Sequence, residues 1–141
     1  MTEFISRSLE DTKLFAKDFA KNLKPGQTVL LFGEMGAGKT TFTKSVIQNL
    51  GFNGVVTSPT FTLVNQYKAK DFTIFHFDMY RLEDITEAFE IGLDEMLLDK
   101  NAIKIVEWPE KATDILPKDA LKLSIKVLDD NTRSFCLEGE L

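Results

Sequence analysis

Gly33, Gly38, Lys39 and Thr40 are spaced Gly-x4-Gly-Lys-Thr, the order that builds a phosphate-binding loop. The glycines, Gly36 among them, allow backbone conformations closed to other residues and let the chain approach an anion closely. Successive N–H groups then turn inward at the positive end of the following helix, forming a nest for phosphate oxygens. In this pattern the Lys39 ammonium reaches the β- and γ-phosphates, and the Thr40 hydroxyl binds magnesium. ATP or ADP with Mg2+ is the expected cofactor. A glycine turn with an incidental lysine would not need a buried strand before it and a helix after it, and this sequence supplies both.

Magnesium bound to Thr40 needs oxygen from a second element. Two apolar runs end in a carboxylate, Phe75-His76-Phe77-Asp78 and Ile105-Val106-Glu107. In open α/β sheets, ligands sit beyond the carboxyl ends of strands. Asp78 and Glu107 are therefore candidate catalytic and metal-binding acids, and the sequence leaves open which one touches the metal. His76 alternates with Phe75 and Phe77 and shares a face with Asp78. It reads as a packed, hydrogen-bonded structural histidine in preference to a catalytic one. Trp108 stands beside Glu107 and reads equally as core or as site. Ser58-Pro59-Thr60 fits a strand-entry turn. Tyr80-Arg81 either contacts a partner or caps a helix.

The elements that must position these groups follow from periodicity. Phe4-Ile5 fits an edge strand, and Ser8 with Asp11 marks a helix start. Leu14, Phe15, Phe19 and Leu23 recur at helical spacing until Pro25-Gly26. Residues 28–32 form a continuous apolar run, as in a strand buried on both faces. A helix is expected over 39–50, with Gly51 as its stop. Strands are expected over 60–67, 72–78 and 102–108, with a turn at 68–71. The segment 83–98 reads as helical, interrupted near Gly92, with its acidic residues on a solvated face. Alternation over 121–127 and a strand over 132–137, joined through Asp129-Asp130-Asn131, predict a hairpin. The fold class is α/β, a mostly parallel sheet of the P-loop NTPase kind flanked by helices, with antiparallel hairpin additions. Residues 1–141 form one domain.

Composition narrows the function. Hydrophobic residues make up 43% and charged residues 28%, a globular balance. No apolar run approaches the roughly 18 residues of a membrane span, and residues 1–7 lack a signal-peptide pattern. With Cys136 as the only cysteine, no intrachain disulfide is available, and a cytoplasmic location is expected. The net charge of −5 lacks the basic footprint of a protein that grips nucleic acid by itself. The guanine signature Asn/Thr-Lys-x-Asp is absent.

Four blocks in order, residues 33–42, residues 57–63, His76-Phe77-Asp78-Met79-Tyr80-Arg81-Leu82 and Glu107-Trp108, closely resemble the TsaE (also called YjeE) family of small P-loop ATPases. The resemblance spans nearly the whole chain. It implies an ATPase required for threonylcarbamoyladenosine modification of tRNAs that read codons starting with A. It also implies a partner, the heterodimer of a threonylcarbamoyl-transferase subunit and its accessory paralogue, which ATP hydrolysis drives or resets. Contact with tRNA would be indirect. Residue by residue, the resemblance assigns Gly36, Ala37, Gly38, Lys39, Thr40 and Thr41 to phosphate binding. Thr40 and Glu107 go to magnesium, and Asp78 to the same acidic cluster. Residues 57–60 correspond to a switch near the γ-phosphate, which makes Thr60 a catalytic candidate beside the plain reading as a strand-entry turn. The region of Ser8, Leu9 and Thr12 lies near the adenine, although capping explains those three equally well. Arg133 matches a basic position on the last hairpin loosely. Glu34-Met35 stands where the family commonly has Asp-Leu. The alternative function is a small-molecule kinase of the P-loop fold. It is disfavoured because the chain has only Arg7, Arg81 and Arg133 and no evident lid.

Overall fold

The computed structural model describes residues 2–59 and 62–139. Its strands are β1 (Thr2–Ser6), β2 (Thr28–Phe32), β3 (Val64–Lys68), β4 (Thr73–Asp78), β5 (Ala102–Glu107), β6 (Leu121–Val127) and β7 (Arg133–Glu138). The helices are α1 (Leu9–Asn22), α2 (Lys39–Asn49), α3 (Ile85–Glu90) and α4 (Leu93–Leu97). One sheet runs β1-β7-β6-β2-β5-β4-β3. Its inner strands β6, β2, β5 and β4 are parallel to one another, whereas β7, β1 and β3 each join antiparallel. The expected class is observed, with antiparallel strands at both edges.

The central strands β2, β4 and β5 are buried on both faces, which explains their unbroken apolar runs. Along β2, Val29 and Leu31 enter one core with α1 and α2, while Leu30 enters the other with α3 and α4. Along β5, Ile103 and Ile105 face α1 and α2, and Ala102 and Val106 face the opposite way. Lys104 interrupts this strand yet is almost fully buried. Its ammonium donates to the carbonyls of Asp99 at 2.7 Å and Gly26 at 3.1 Å. Burial holds its pKa below the ordinary lysine value, with Asp99 and Asp119 opposing that shift.

Ser8 caps α1 by accepting from the Asp11 N–H at 3.0 Å, as its sequence position predicts. Leu14 departs from expectation: it is 62% exposed. The buried face of α1 carries Thr12, Ala16, Phe19 and Ala20. Two residues beyond Thr12 is about 200° around the helix, so Leu14 points away from that face. Of the strand expected over 60–67, residues 60 and 61 lie outside the described residues, and among those described the strand begins at Val64, after Leu63 at φ 68°. Trp108, at φ 56°, likewise falls outside β5 and opens a short 3-10 turn at Pro109. Gly92 separates α3 from α4, as expected.

An aromatic cluster fixes the helix that carries the glycine loop. The Phe42 ring on α2 lies 5.5 Å from Phe19 on α1 and 5.4 Å from Phe135 on β7, between ring centroids. Phe15 closes the group at 5.7 Å from Phe42 and 5.0 Å from Phe135. Phe42 is 1% exposed. Phe42→Ala is expected to lower unfolding free energy by about 3–5 kcal/mol. Leu14→Ala should stay within about 0.5 kcal/mol of the parent. Denaturant titration of both variants checks this, and equal losses would contradict the assigned helix face.

Candidate nucleotide and metal site

The glycine loop leaves the centre of the sheet, where β2 has parallel neighbours on both sides. Two glycines are required by local geometry. A Cβ at Gly33 would lie 2.8 Å from the Ile125 carbonyl oxygen of β6, so only glycine lets the loop leave so close to that strand. Gly38, the residue before α2, adopts φ 102°. With α2 starting at Lys39, the loop N–H groups lie at the positive end of that helix.

Strand register delivers the acids. Glu107 pairs with Leu31 on β2 and with Asp78 on β4, so both carboxylates emerge at the C-terminal ends of adjacent strands beside the loop. Glu107 is 2% exposed and Asp78 6% exposed. The Thr40 hydroxyl donates to Glu107 Oε1 at 3.3 Å. Glu107 Oε2 meets His76 Nε2 at 2.5 Å. Asp78 Oδ1 accepts from the Tyr80 N–H at 3.0 Å.

Lys39 Nζ donates to the Gly33 carbonyl at 2.6 Å and lies 3.5 Å from the Trp108 ring centroid, a cation–π contact. Tyr80 backs the indole at 4.9 Å. Burial holds the Lys39 pKa below the ordinary lysine value, and the carboxylates of Glu107, Glu110 and Asp78 pull in the opposite direction. Lys39, Thr40, Asp78, Glu107 and Trp108 line one cleft. A polyphosphate entering it would meet one buried ammonium and two carboxylates of its own sign. A divalent cation resolves that conflict. The donors present are hard oxygens, one hydroxyl and two carboxylates, which suit magnesium. Among the described residues no group of three His, Cys, Asp or Glu side chains forms a cage. That fits an ion that arrives with phosphate and water ligands of its own.

A second cleft continues past Gly38 and Thr41, which line both. It contains Leu9 at the start of α1 and Arg133 on β7, together with Ser6, Thr12, Asp130 and Asn131. The β1–β7 pairing sets Ser6 opposite Arg133, which joins the two ends of the chain here. Arg133 Nε donates to the Ala37 carbonyl at 3.2 Å. Thus the expected phosphate loop, Leu9 and Arg133 line one continuous surface. Asp130 and Asn131 were visible in sequence only as hairpin-turn residues, with no local signal of a cleft. Thr60 lies outside the described residues. Thr57 is held to β3, its N–H donating to the Tyr67 hydroxyl at 3.1 Å and its carbonyl accepting from Asn65 at 3.1 Å.

A phosphate that engages the Lys39 ammonium, which donates to the Gly33 carbonyl and lies against the indole, rearranges the charge beside Trp108. Trp108 is the sole tryptophan. Its fluorescence is therefore expected to change on saturation with magnesium and ATP. Lys39→Ala at the same nucleotide concentration should show no change. Constant emission in the unsubstituted protein at saturation would contradict the rearrangement.

The family model described as "Threonylcarbamoyl adenosine biosynthesis protein TsaE" matches residues 6–135. A tRNA threonylcarbamoyladenosine biosynthesis protein TsaE from Rickettsia bellii is 42% identical over 133 residues, covering 94% of this chain and 91% of that protein. Its Bacillus subtilis counterpart is 40% identical over 124 residues, covering 88% and 77%. The crystal structure of Bacillus subtilis YdiB superposes with a TM-score of 0.79 at 33% identity, covering 95% of this chain and 82% of that one. The chain belongs to the TsaE family of threonylcarbamoyl adenosine biosynthesis proteins.

Proposed function

We propose that the chain is the ATPase component of threonylcarbamoyladenosine synthesis on tRNAs reading codons that start with A. In this reading it binds ATP with Mg2+ in the cytoplasm and hydrolyses it to drive or reset the threonylcarbamoyl-transferase heterodimer. The observation that carries the reading is the 3.3 Å approach of the Thr40 hydroxyl to Glu107 Oε1. It brings the metal-binding residue of the loop to a buried strand-end acid, the arrangement a magnesium nucleotide requires. Phosphates lie on the backbone of Gly33, Gly36, Ala37, Gly38 and Thr41 and on the Lys39 ammonium. Leu9 and Arg133 border the nucleoside. Thr40, Glu107 and Asp78 would hold the cation, which would neutralise charge developing on the γ-phosphoryl oxygens. Asp78 and Glu107 also orient the attacking water, and Thr60 belongs to the catalytic set.

The partner dependence follows from charge. An arginine at the γ-phosphate is worth roughly 10³–10⁵ in rate. Arg133 is engaged with the carbonyls of Ala37, Asp129 and Thr132 on the nucleoside side. Arg7 lies between β1 and α1, away from the phosphate cleft. Arg81 lines that cleft and has an interaction of its own. In this reading the heterodimer supplies further charge at the γ-phosphate or orders the switch. With a net charge of −5, naked tRNA is a poor activator.

A steady-state ATPase assay tests this on the chain alone, with tRNA alone and with the heterodimer. Slow turnover in the first two and acceleration in the third are expected. Glu107→Gln should lower the accelerated rate by about 10²-fold or more while retaining nucleotide. Rapid hydrolysis by the chain alone, or stimulation by tRNA without partners, would overturn the partner role. Full activity of Glu107→Gln would overturn the site assignment.

A further inference from the structure

His76 is fully buried within β4, its side chain at 0% exposure. Phe75 and Phe77 on either side face the core with α3 and α4. Alternation therefore turns His76, with Asp78, to the opposite face, beneath the glycine loop. On that face it lies diagonal to Glu107, because His76 pairs with Ile105 and Asp78 with Glu107. The contact of His76 Nε2 with Glu107 Oε2 is the shortest polar contact of the site at 2.5 Å. An ionised carboxylate only accepts, so Nε2 carries the hydrogen.

The other ring nitrogen argues against a role confined to packing. His76 Nδ1 is buried with no hydrogen-bond partner among the described residues. A buried polar atom left without a partner is a cost, and a phenylalanine would fill the same space without it. What the histidine adds is one directed N–H bond to one carboxylate oxygen. That bond fixes the rotation of the Glu107 carboxylate, leaving Oε1 turned to Thr40.

We infer that His76 is a positioning residue: it holds Glu107 from below so that its free edge faces Thr40 and the magnesium nucleotide. The inference rests on the proposed role of Glu107 at the metal. A side chain that orients a metal-binding carboxylate commonly governs metal affinity or activity by about 10–100-fold. Without it, Glu107 is free to turn, and magnesium-dependent binding suffers while the contacts of the loop with phosphate persist.

Calorimetric titration of ATP with magnesium and with a chelator separates these effects. Wild type, His76→Phe, His76→Gln, Glu107→Gln and the His76→Phe/Glu107→Gln double variant are compared. His76→Phe is expected to lose about tenfold of the magnesium-dependent tightening and to bind ATP normally in chelator. His76→Gln keeps an N–H donor at similar reach and should recover most of the loss. In the Glu107→Gln background, His76→Phe should add nothing further, because the group it acts through is already altered. Thermal unfolding verifies that each variant is folded, and His76→Met replaces His76→Phe if the ring does not fit. Equal weakening with and without magnesium, or a His76→Gln variant as impaired as His76→Phe, would overturn the inference and leave a packing residue. Full additivity in the double variant would overturn it as well. Normal magnesium dependence in Glu107→Gln would instead remove the metal role of Glu107 itself, and the inference with it.

Discussion

Glu107 is a buried carboxylate placed beneath a loop whose backbone is arranged to attract anions, and its two oxygens are held from opposite sides. Thr40 reaches Oε1 from the first turn of α2, and His76 reaches Oε2 from β4. Three elements therefore converge on one side chain. If α2 moves relative to β5, the Thr40 contact is lost. If β4 slips by one residue against β5, His76 turns to the other face. The Phe42 cluster on one face and the doubly buried inner strands hold both registers. Packing energy far from the phosphates thus sets the geometry near them.

The same carboxylate makes the site conditional. Burying Glu107 and Asp78 beside a phosphate nest is unfavourable until a cation joins them, and Lys39 supplies only one positive charge. That ammonium lies between the Gly33 carbonyl and the Trp108 face, with a pKa lowered by burial. Under the proposed function, a bound magnesium nucleotide would relieve the carboxylates and the lysine together.

Much of this was legible in the sequence because it is local. The glycine loop is contiguous, and its strand and helix flank it directly. The Ser8 cap, the Gly92 break and the final hairpin likewise depend on neighbours a few residues apart. Asp78 and Glu107 could be picked as strand-end acids, but their adjacency depends on β5 lying between β2 and β4, which chain order does not specify. His76 was read correctly as a bonded histidine, whereas its partner lies 31 residues away. Leu14 is apolar like Phe15 and Phe19, but its exposure follows from its angular position about 200° from Thr12 on the helix. The left-handed turn at Leu63 carries no glycine to announce it. Asp130 and Asn131 share a cleft with Leu9 and Arg133, and the β1–β7 pairing that brings Ser6 there spans the length of the sequence.

Under the proposed function, Thr40 and Glu107 together would hold the cation of a bound magnesium nucleotide. A crystal structure of the protein with Mg2+ and a non-hydrolysable ATP analogue tests it most directly. The account predicts the ion at about 2.0–2.1 Å from Thr40 Oγ1, with Glu107 in its coordination sphere directly or through one water. His76 should still bond the far oxygen of Glu107. A cation coordinated without Thr40, or a Glu107 carboxylate turned away from it, would contradict the account.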